Sequence, residues 1–122
     1  MELADFKNMK DTLYSAVIAD ILDEMGYRNQ AMSHTLHPLQ DHDVVVGRAF
    51  TVLAADVYDI PERPYYMEFK AVDSLQEGDV LVVSTNGSTC SGFWGELLTT
   101  AALRHGAVGA VIDGMSRDTK AI

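Results

Sequence analysis

The chain contains one cysteine, Cys90, and three prolines in 122 residues. A single thiol excludes an internal disulfide framework and agrees with a reducing compartment. Basic residues are also scarce, with 9 Lys and Arg against 18 Asp and Glu, for a formal net charge of −9. Such a surface repels phosphate backbones and anionic lipid, so neither nucleic acid nor a membrane is an expected partner. Any anion the protein binds must be drawn by a local site that overcomes the global field. No apolar stretch reaches the roughly 18 residues of a spanning helix, and the start, Met1 to Lys7, lacks the basic and apolar regions of a signal peptide. The expectation is a soluble, cytoplasmic protein. There is no internal repeat, low-complexity tract or linker, and Gly87, Gly92 and Gly95 do not have the spacing of a dinucleotide loop or a P-loop.

What the chain does have is 48% hydrophobic residues, enough for a globular core, at a length that suits one domain. Tyr14, Val17, Ile18, Ile21, Leu22 and Met25 recur at helical spacing, and Gly26 stands where a left-handed residue ends a helix. A shorter helix is expected from about Leu3 to Met9. Residues 27–43 are polar and irregular. Val44 to Leu53 is rich in β-branched residues and reads as a strand, with Gly47 a candidate bulge. Met67 to Leu75 suits a short helix closed by the turn Gln76-Glu77-Gly78-Asp79.

The last third is the best defined. Val80-Leu81-Val82-Val83 is an uninterrupted apolar strand of the kind covered on both faces. Trp94 to His105 reads as a helix with Leu97, Leu98, Ala101 and Ala102 inward and Gly106 as its stop, and Val108 to Ile112 as a second buried strand. Strand, helix and strand at this spacing form a βαβ unit, so the fold class is α/β.

If the two strands are parallel neighbours, the loops after them share one rim, where open α/β sheets bind ligands. One loop leads into a helix N-terminus carrying Glu96, whose free amides attract an anion. The other brings Arg117, a planar fork for a carboxylate or enolate, and Asp118, an oxygen ligand for a hard cation. Each piece also has a plain structural reading. Glu96 is favoured by the helix dipole alone, and Arg117 with Asp118 could be a solvated pair; only their joint placement points to chemistry. The histidines His34, His37, His42 and His105 have no zinc spacing, Cys90 has no histidine tied to it, and Trp94, Tyr65, Tyr66 and Met67 read as packing residues.

With those residues set out, the chain resembles the RraA-like family. That family includes metal-dependent 4-hydroxy-4-methyl-2-oxoglutarate aldolases, related oxaloacetate decarboxylases and the regulator of ribonuclease activity A. The resemblance runs through residues 15–22, 46–52, 76–83, 94–98 and 109–118, the last two being the most specific. It implies a single RraA-like domain over 1–122 with a swivelling β/β/α-type fold, assembled as a homotrimer or homohexamer. Relatives continue well past Arg117-Asp118, so the resemblance also implies a fold truncated at its C-terminal end. The aldolase branch carries an acidic residue, twenty intervening positions, then Arg-Asp, a pattern that falls here on Glu96, Arg117 and Asp118. By resemblance, Asp118 ligates Mg²⁺ or Mn²⁺ directly and Glu96 holds it through water. The amides of Gly95, Glu96, Leu97 and Leu98 bind the carboxylate of a small 2-keto acid, and Arg117 stabilises the enolate.

The implied activity is a lyase that forms a pyruvate enolate, by aldol cleavage or by decarboxylation of oxaloacetate. Its rival is a non-catalytic binding protein of the ribonuclease-regulator kind. Some family members carry a demethylmenaquinone methyltransferase label, but no methyl-donor glycine loop follows a first strand here.

Overall fold

The structure, a computed structural model, describes all of residues 1–122. Its internal contacts divide the chain into two compact units, Met1–Val46 and Gly47–Ile122.

The first unit holds two helices, α1 (Leu3–Thr12) and α2 (Ser15–Glu24). At the start of α1, Asp5 turns back to accept the Glu2 amide at 2.7 Å, answering one of the free N–H groups of a helix start. Helix α2 ends in a Schellman turn: Gly26, at φ +86°, lets its own N–H reach Asp23 O and that of Tyr27 reach Leu22 O. The apolar stripe expected on this helix is present, but none of its residues is fully buried. Residues 27–46 contain no helix or strand, which over 27–43 agrees with their polar composition.

The second unit is an α/β layer. Strands β1 (Arg48–Leu53), β2 (Asp79–Ser84) and β4 (Gly109–Asp113) form one sheet in the order β1-β2-β4, with every pairing parallel. Helix α3 (Tyr66–Asp73) lies between β1 and β2 in the chain, and α4 (Glu96–Arg104) between β2 and β4. Two short strands missed by the sequence reading, β3 (Gly92–Trp94) and β5 (Met115–Ser116), pair with each other in a separate parallel ribbon.

Burial centres on β2. Leu81 and Val83 are each 1% exposed, and Val72, Leu75, Trp94, Leu98, Ala102 and Ala107 complete the cluster around them. Helix α4 closes like α2: Gly106, at φ +85°, frees its N–H for Leu103 O and lets Ala107 reach Ala102 O. Several expectations are corrected: α4 begins at Glu96 rather than at Trp94, which lies on β3, and Tyr65, Tyr66 and Met67, read as packing residues, are exposed. The strand read from Val44 begins only at Arg48, where the ladder with Asp79 starts. Leu97, read as inward, is 77% exposed, because the stripe on α4 that meets the core runs through Leu98 and Ala102.

The lower end of the sheet is tied by Asp79, whose side chain is 4% exposed. Its Oδ1 accepts from Arg48 Nη2 at 2.7 Å and Nε at 2.8 Å, a bidentate use of the guanidinium. Its Oδ2 accepts the Gln76 amide at 2.8 Å and so closes the turn that launches β2. Asp79→Ala leaves that amide and the Arg48 fork without their acceptor. The expected cost is about 1–3 kcal/mol, read from urea unfolding. A loss within the roughly 0.5 kcal/mol of an ordinary surface substitution would show that the turn holds without it.

Candidate functional site

The parallel register carries the C-terminal ends of β2 and β4 to the same level, with Ser84 opposite Asp113. Thr85, buried just past β2, fastens the two ends: its N–H and its hydroxyl both donate to Asp113 O at 3.0 Å. From here the chain after β2 leads through β3 into α4, and the chain after β4 leads through β5 to Arg117. Because β3 and β5 pair, with Gly92 opposite Met115 and Trp94 opposite Ser116, the two segments arrive side by side. One further bond, from Arg117 N–H to Trp94 O at 2.8 Å, continues the pairing and sets Arg117 beside Gly95.

Gly95 is the N-cap of α4 and is buried. Its backbone is extended, so its special property is space rather than dihedral freedom. A Cβ there would lie 2.7 Å from Asp118 Oδ2 and 3.0 Å from Arg117 Cγ. One at Gly92 would lie 3.3 Å from Arg117 Cβ. The arginine stem therefore passes over two glycines, and the carboxylate of Asp118 rests on the backbone that opens the helix. Asp118 has φ +57°, a left-handed conformation that costs about 1–3 kcal/mol away from glycine and is least unfavourable for Asp and Asn. Arg117 Nε lies 3.5 Å from Asp118 Oδ2, and both side chains keep access to solvent.

Of the expected site residues, the structure thus brings Gly95, Arg117 and Asp118 into one contact group. Glu96 follows Gly95 as the first residue of α4, exposed and in the favourable field of the helix start. Leu97 is exposed and Leu98 packs into the core, so only their amides face the helix start. No side chain caps α4, which leaves that end available to a ligand. His34, His37 and His42 belong to the first unit, and His105 lies 3.5 Å from Asp73 at the far end of α4. Cys90 is exposed.

Nowhere do three or more His, Cys, Asp or Glu side chains gather as a metal group. A structural zinc site needs four protein ligands and calcium six or more oxygens, so neither suits this donor set. Asp118 and Glu96 amount to one or two carboxylates, which fits Mg²⁺, an ion that keeps most of its waters.

The sequence reading passed over Glu68. It lies on α3, partly buried, and that burial pushes its carboxyl above the usual carboxylate range, while the charge of Arg117 pulls the other way. Nothing in the local pattern marks it, since its proximity to Arg117 arises only when α3 packs on the sheet. Glu68 also lines a cavity of about 1210 Å³ at the C-terminal end of β1, walled by residues 50–68 and by Thr85, Ser88, Ser91 and Phe93. Ser88 Oγ donates to Asp56 Oδ1 at 2.7 Å across that cavity's wall.

With this geometry in hand, three comparisons bear on the chain. A family model described as RraA-like, Aldolase/RraA, matches residues 15–122. A protein of Halalkalibacterium halodurans, provisionally named 4-hydroxy-4-methyl-2-oxoglutarate aldolase, is 32% identical over 117 residues, covering 96% of this chain and 51% of that protein. Among solved structures, one described under novel cellulases from microbes associated with the gut ecosystem superposes with a TM-score of 0.90 at 28% identity, covering 100% of this chain and 55% of the other. RraAS2 of Streptomyces coelicolor, described as an unusual member of the RNase ES inhibitor RraA protein family, gives a TM-score of 0.80 at 28% identity, with 98% and 57% covered. The chain spans little more than half the length of each of these proteins. No helix is long and apolar enough to cross a membrane.

The close approach at Gly95 makes its own prediction. Gly95→Ala must push Asp118 and Arg117 off the helix start, an overpacking cost of about 1–3 kcal/mol in urea unfolding. An unchanged midpoint would mean that the Arg117-Asp118 segment yields freely and is not fixed by this contact.

Proposed function

Since the chain belongs to the RraA-like family, we propose that it is a divalent-metal-dependent carbon–carbon lyase that forms a pyruvate enolate, by aldol cleavage, by decarboxylation of oxaloacetate, or both. The observation that carries this reading is the packing of Arg117 and Asp118 directly on Gly95 at the uncapped start of α4. A 2-keto acid presents a carboxylate beside a carbonyl. In this reading the carboxylate sits on the free amides of Gly95 to Leu98, where the helix dipole is favourable. The keto oxygen then points at Arg117, whose fork suits an oxygen that gains charge as the neighbouring C–C bond breaks.

Mg²⁺ or Mn²⁺, when bound, supplies Lewis-acid polarisation of that same oxygen. Asp118 would hold it directly, and Glu96 would hold it through its water shell. The remaining work falls to the chain's own residues. The amides fix the substrate's end, Arg117 meets the developing charge, and Gly95 leaves room for both. A preorganised donor of this kind contributes about 2.7–4 kcal/mol to a transition state that develops an oxyanion.

The match from 15 to 122 runs unbroken across both compact units, which supports reading them as parts of one RraA-like domain. We assign it a trimeric or hexameric assembly, as the family resemblance implies, and a place in the cytoplasm, in keeping with its composition. A second reading, a non-catalytic regulator, is favoured by the likeness to RraAS2 and by the net charge of −9. A binding module has no need of a fixed arginine and aspartate at an uncapped helix, so the lyase is the stronger reading.

Pyruvate release from oxaloacetate, measured with Mg²⁺ or Mn²⁺ and then with chelator, separates the two. Release above the metal-only background, abolished by chelation, is the expected result; none from a folded, oligomeric sample would favour the regulator. Within the lyase reading, Arg117→Lys keeps the charge but loses the planar fork, and should lower kcat about 10²-fold. Wild-type kinetics in that variant would remove Arg117 from enolate stabilisation.

A further inference from the structure

Two polar residues are buried, Asp79 at 3% exposure and Thr85 at 5%, and they stand at opposite ends of β2. Asp79 finds its partners in the turn that launches the strand. Thr85 is enclosed at the other end, where the loops of the proposed site depart. A threonine hydroxyl carries one proton and donates to one acceptor at a time. Two carbonyls are within its reach, Asp113 O at 3.0 Å on the end of β4 and Ser88 O at 3.2 Å in the loop after β2. That loop closes without it. Asn86 and Gly87, at φ +54° and +79°, make a tight turn in which Ser88 N–H reaches Thr85 O at 3.0 Å. The hydroxyl is thus left to the shorter contact, on the strand that leads to Arg117.

The rest of the side chain covers Gly114. A Cβ on Gly114 would lie 2.5 Å from Thr85 Cγ2 and 2.7 Å from its Oγ1, an approach that only glycine permits. Thr85 therefore grips two successive residues where the chain leaves β4, Asp113 by its carbonyl and Gly114 by its bare backbone. Three residues beyond Gly114, Arg117 N–H meets Trp94 O, and the arginine stem lies over Gly92 and Gly95. Met115 and Ser116, in between, are exposed. No buried side chain of the segment itself fixes its course, so its path is set by the clamp at its start and the pairing with β3 at its end.

Resting on the lyase reading for its catalytic consequence, we propose that Thr85 is a positioning residue whose hydroxyl holds the exit of β4 so that Arg117 and Asp118 arrive against Gly95. It touches neither substrate nor metal. In that reading the substrate carboxylate rests on the amides of α4, which do not depend on Thr85. The guanidinium at the keto oxygen does depend on it. Loss of the hydroxyl accordingly lowers turnover and spares substrate affinity.

Thr85→Ala and Thr85→Ser isolate the hydroxyl, since both lose the methyl and only serine keeps the O–H. Asp113 O retains the backbone N–H of residue 85 in either variant, so no buried carbonyl is left bare and both should fold. Amide hydrogen exchange is followed at Arg117, with the amides of β2 as the reference for the whole fold. Protection at Arg117 should be about tenfold lower in the alanine variant than in the serine variant, the scale of one neutral hydrogen bond. The amides of β2 should be alike in the two. Turnover of oxaloacetate with Mg²⁺ should follow, with kcat about tenfold lower for alanine than for serine and KM unchanged. With Arg117→Lys added to each, that difference should vanish, because Thr85 acts through Arg117.

Equal protection at Arg117 in the two variants, or a loss spread evenly over β2, would overturn the inference while wild-type turnover keeps the lyase reading intact. A kcat difference undiminished by Arg117→Lys would also overturn it, by showing that Thr85 acts elsewhere. Absence of oxaloacetate turnover by the wild type would sink the lyase reading and the catalytic role with it, and the exchange comparison would still decide the clamp.

Discussion

Everything in the Gly47–Ile122 unit depends on the burial of β2 between two parallel neighbours. A parallel strand cannot turn directly back on its partner, so each neighbour must be reached by a crossover that returns the chain to the same end. Here α3 and α4 provide those crossovers, and both contribute to the cluster around Leu81 and Val83. The consequence is directional. All three strands end on one rim, and the polar loops that a buried sheet cannot accommodate are delivered there together. The site's location follows from the core before any site residue is considered.

That rim would be a loose collection of loops without a second constraint, the approach of Arg117 and Asp118 to the backbone of Gly95. The ribbon of β3 and β5 supplies the alignment, and the bond from Arg117 N–H to Trp94 O continues it by one residue. Trp94, 5% exposed, anchors the same strand in the core. A side chain held in the hydrophobic cluster therefore fixes, one residue later, the backbone on which the arginine and the aspartate rest. Precision at such a site comes from supporting contacts more than from the functional groups themselves. The left-handed backbone of Asp118 belongs to the same arrangement, a local cost that the paired ribbon offsets.

Much of this was legible in the residues. The apolar run Val80 to Val83 announced a strand covered on both faces, Gly26 and Gly106 announced helix ends, and the order of strand, helix and strand announced parallel pairing. The arrival of the two loops on one rim followed from that topology, and the contact found there is between Gly95 and the Arg117-Asp118 segment. What escaped notice was short or tertiary. Strands β3 and β5 have three and two residues, too few for a period to show. Leu97 looked inward because one apolar residue among several does not reveal which edge of the stripe meets the core. Glu68 is an ordinary acidic residue in an ordinary helix, and only the packing of α3 gives it Arg117 as a neighbour and a cavity to line.

The acidity of the chain then takes on a definite meaning. Arg48 is committed to Asp79, Arg28 to Asp23, and Arg117 to Asp118. A protein with 18 acidic and 9 basic residues cannot attract an anion through its overall field. If the rim binds a keto acid, the attraction must come from groups whose charge is not cancelled by neighbours, and backbone amides at a helix start are such groups. They do not titrate, they are held in place by the helix, and their dipoles need no reorganisation as charge develops. An acidic surface also favours departure of an anionic product once those few contacts are released. In the lyase reading, the same negative balance that disfavours nucleic acid as a partner places recognition on one fixed end of one helix.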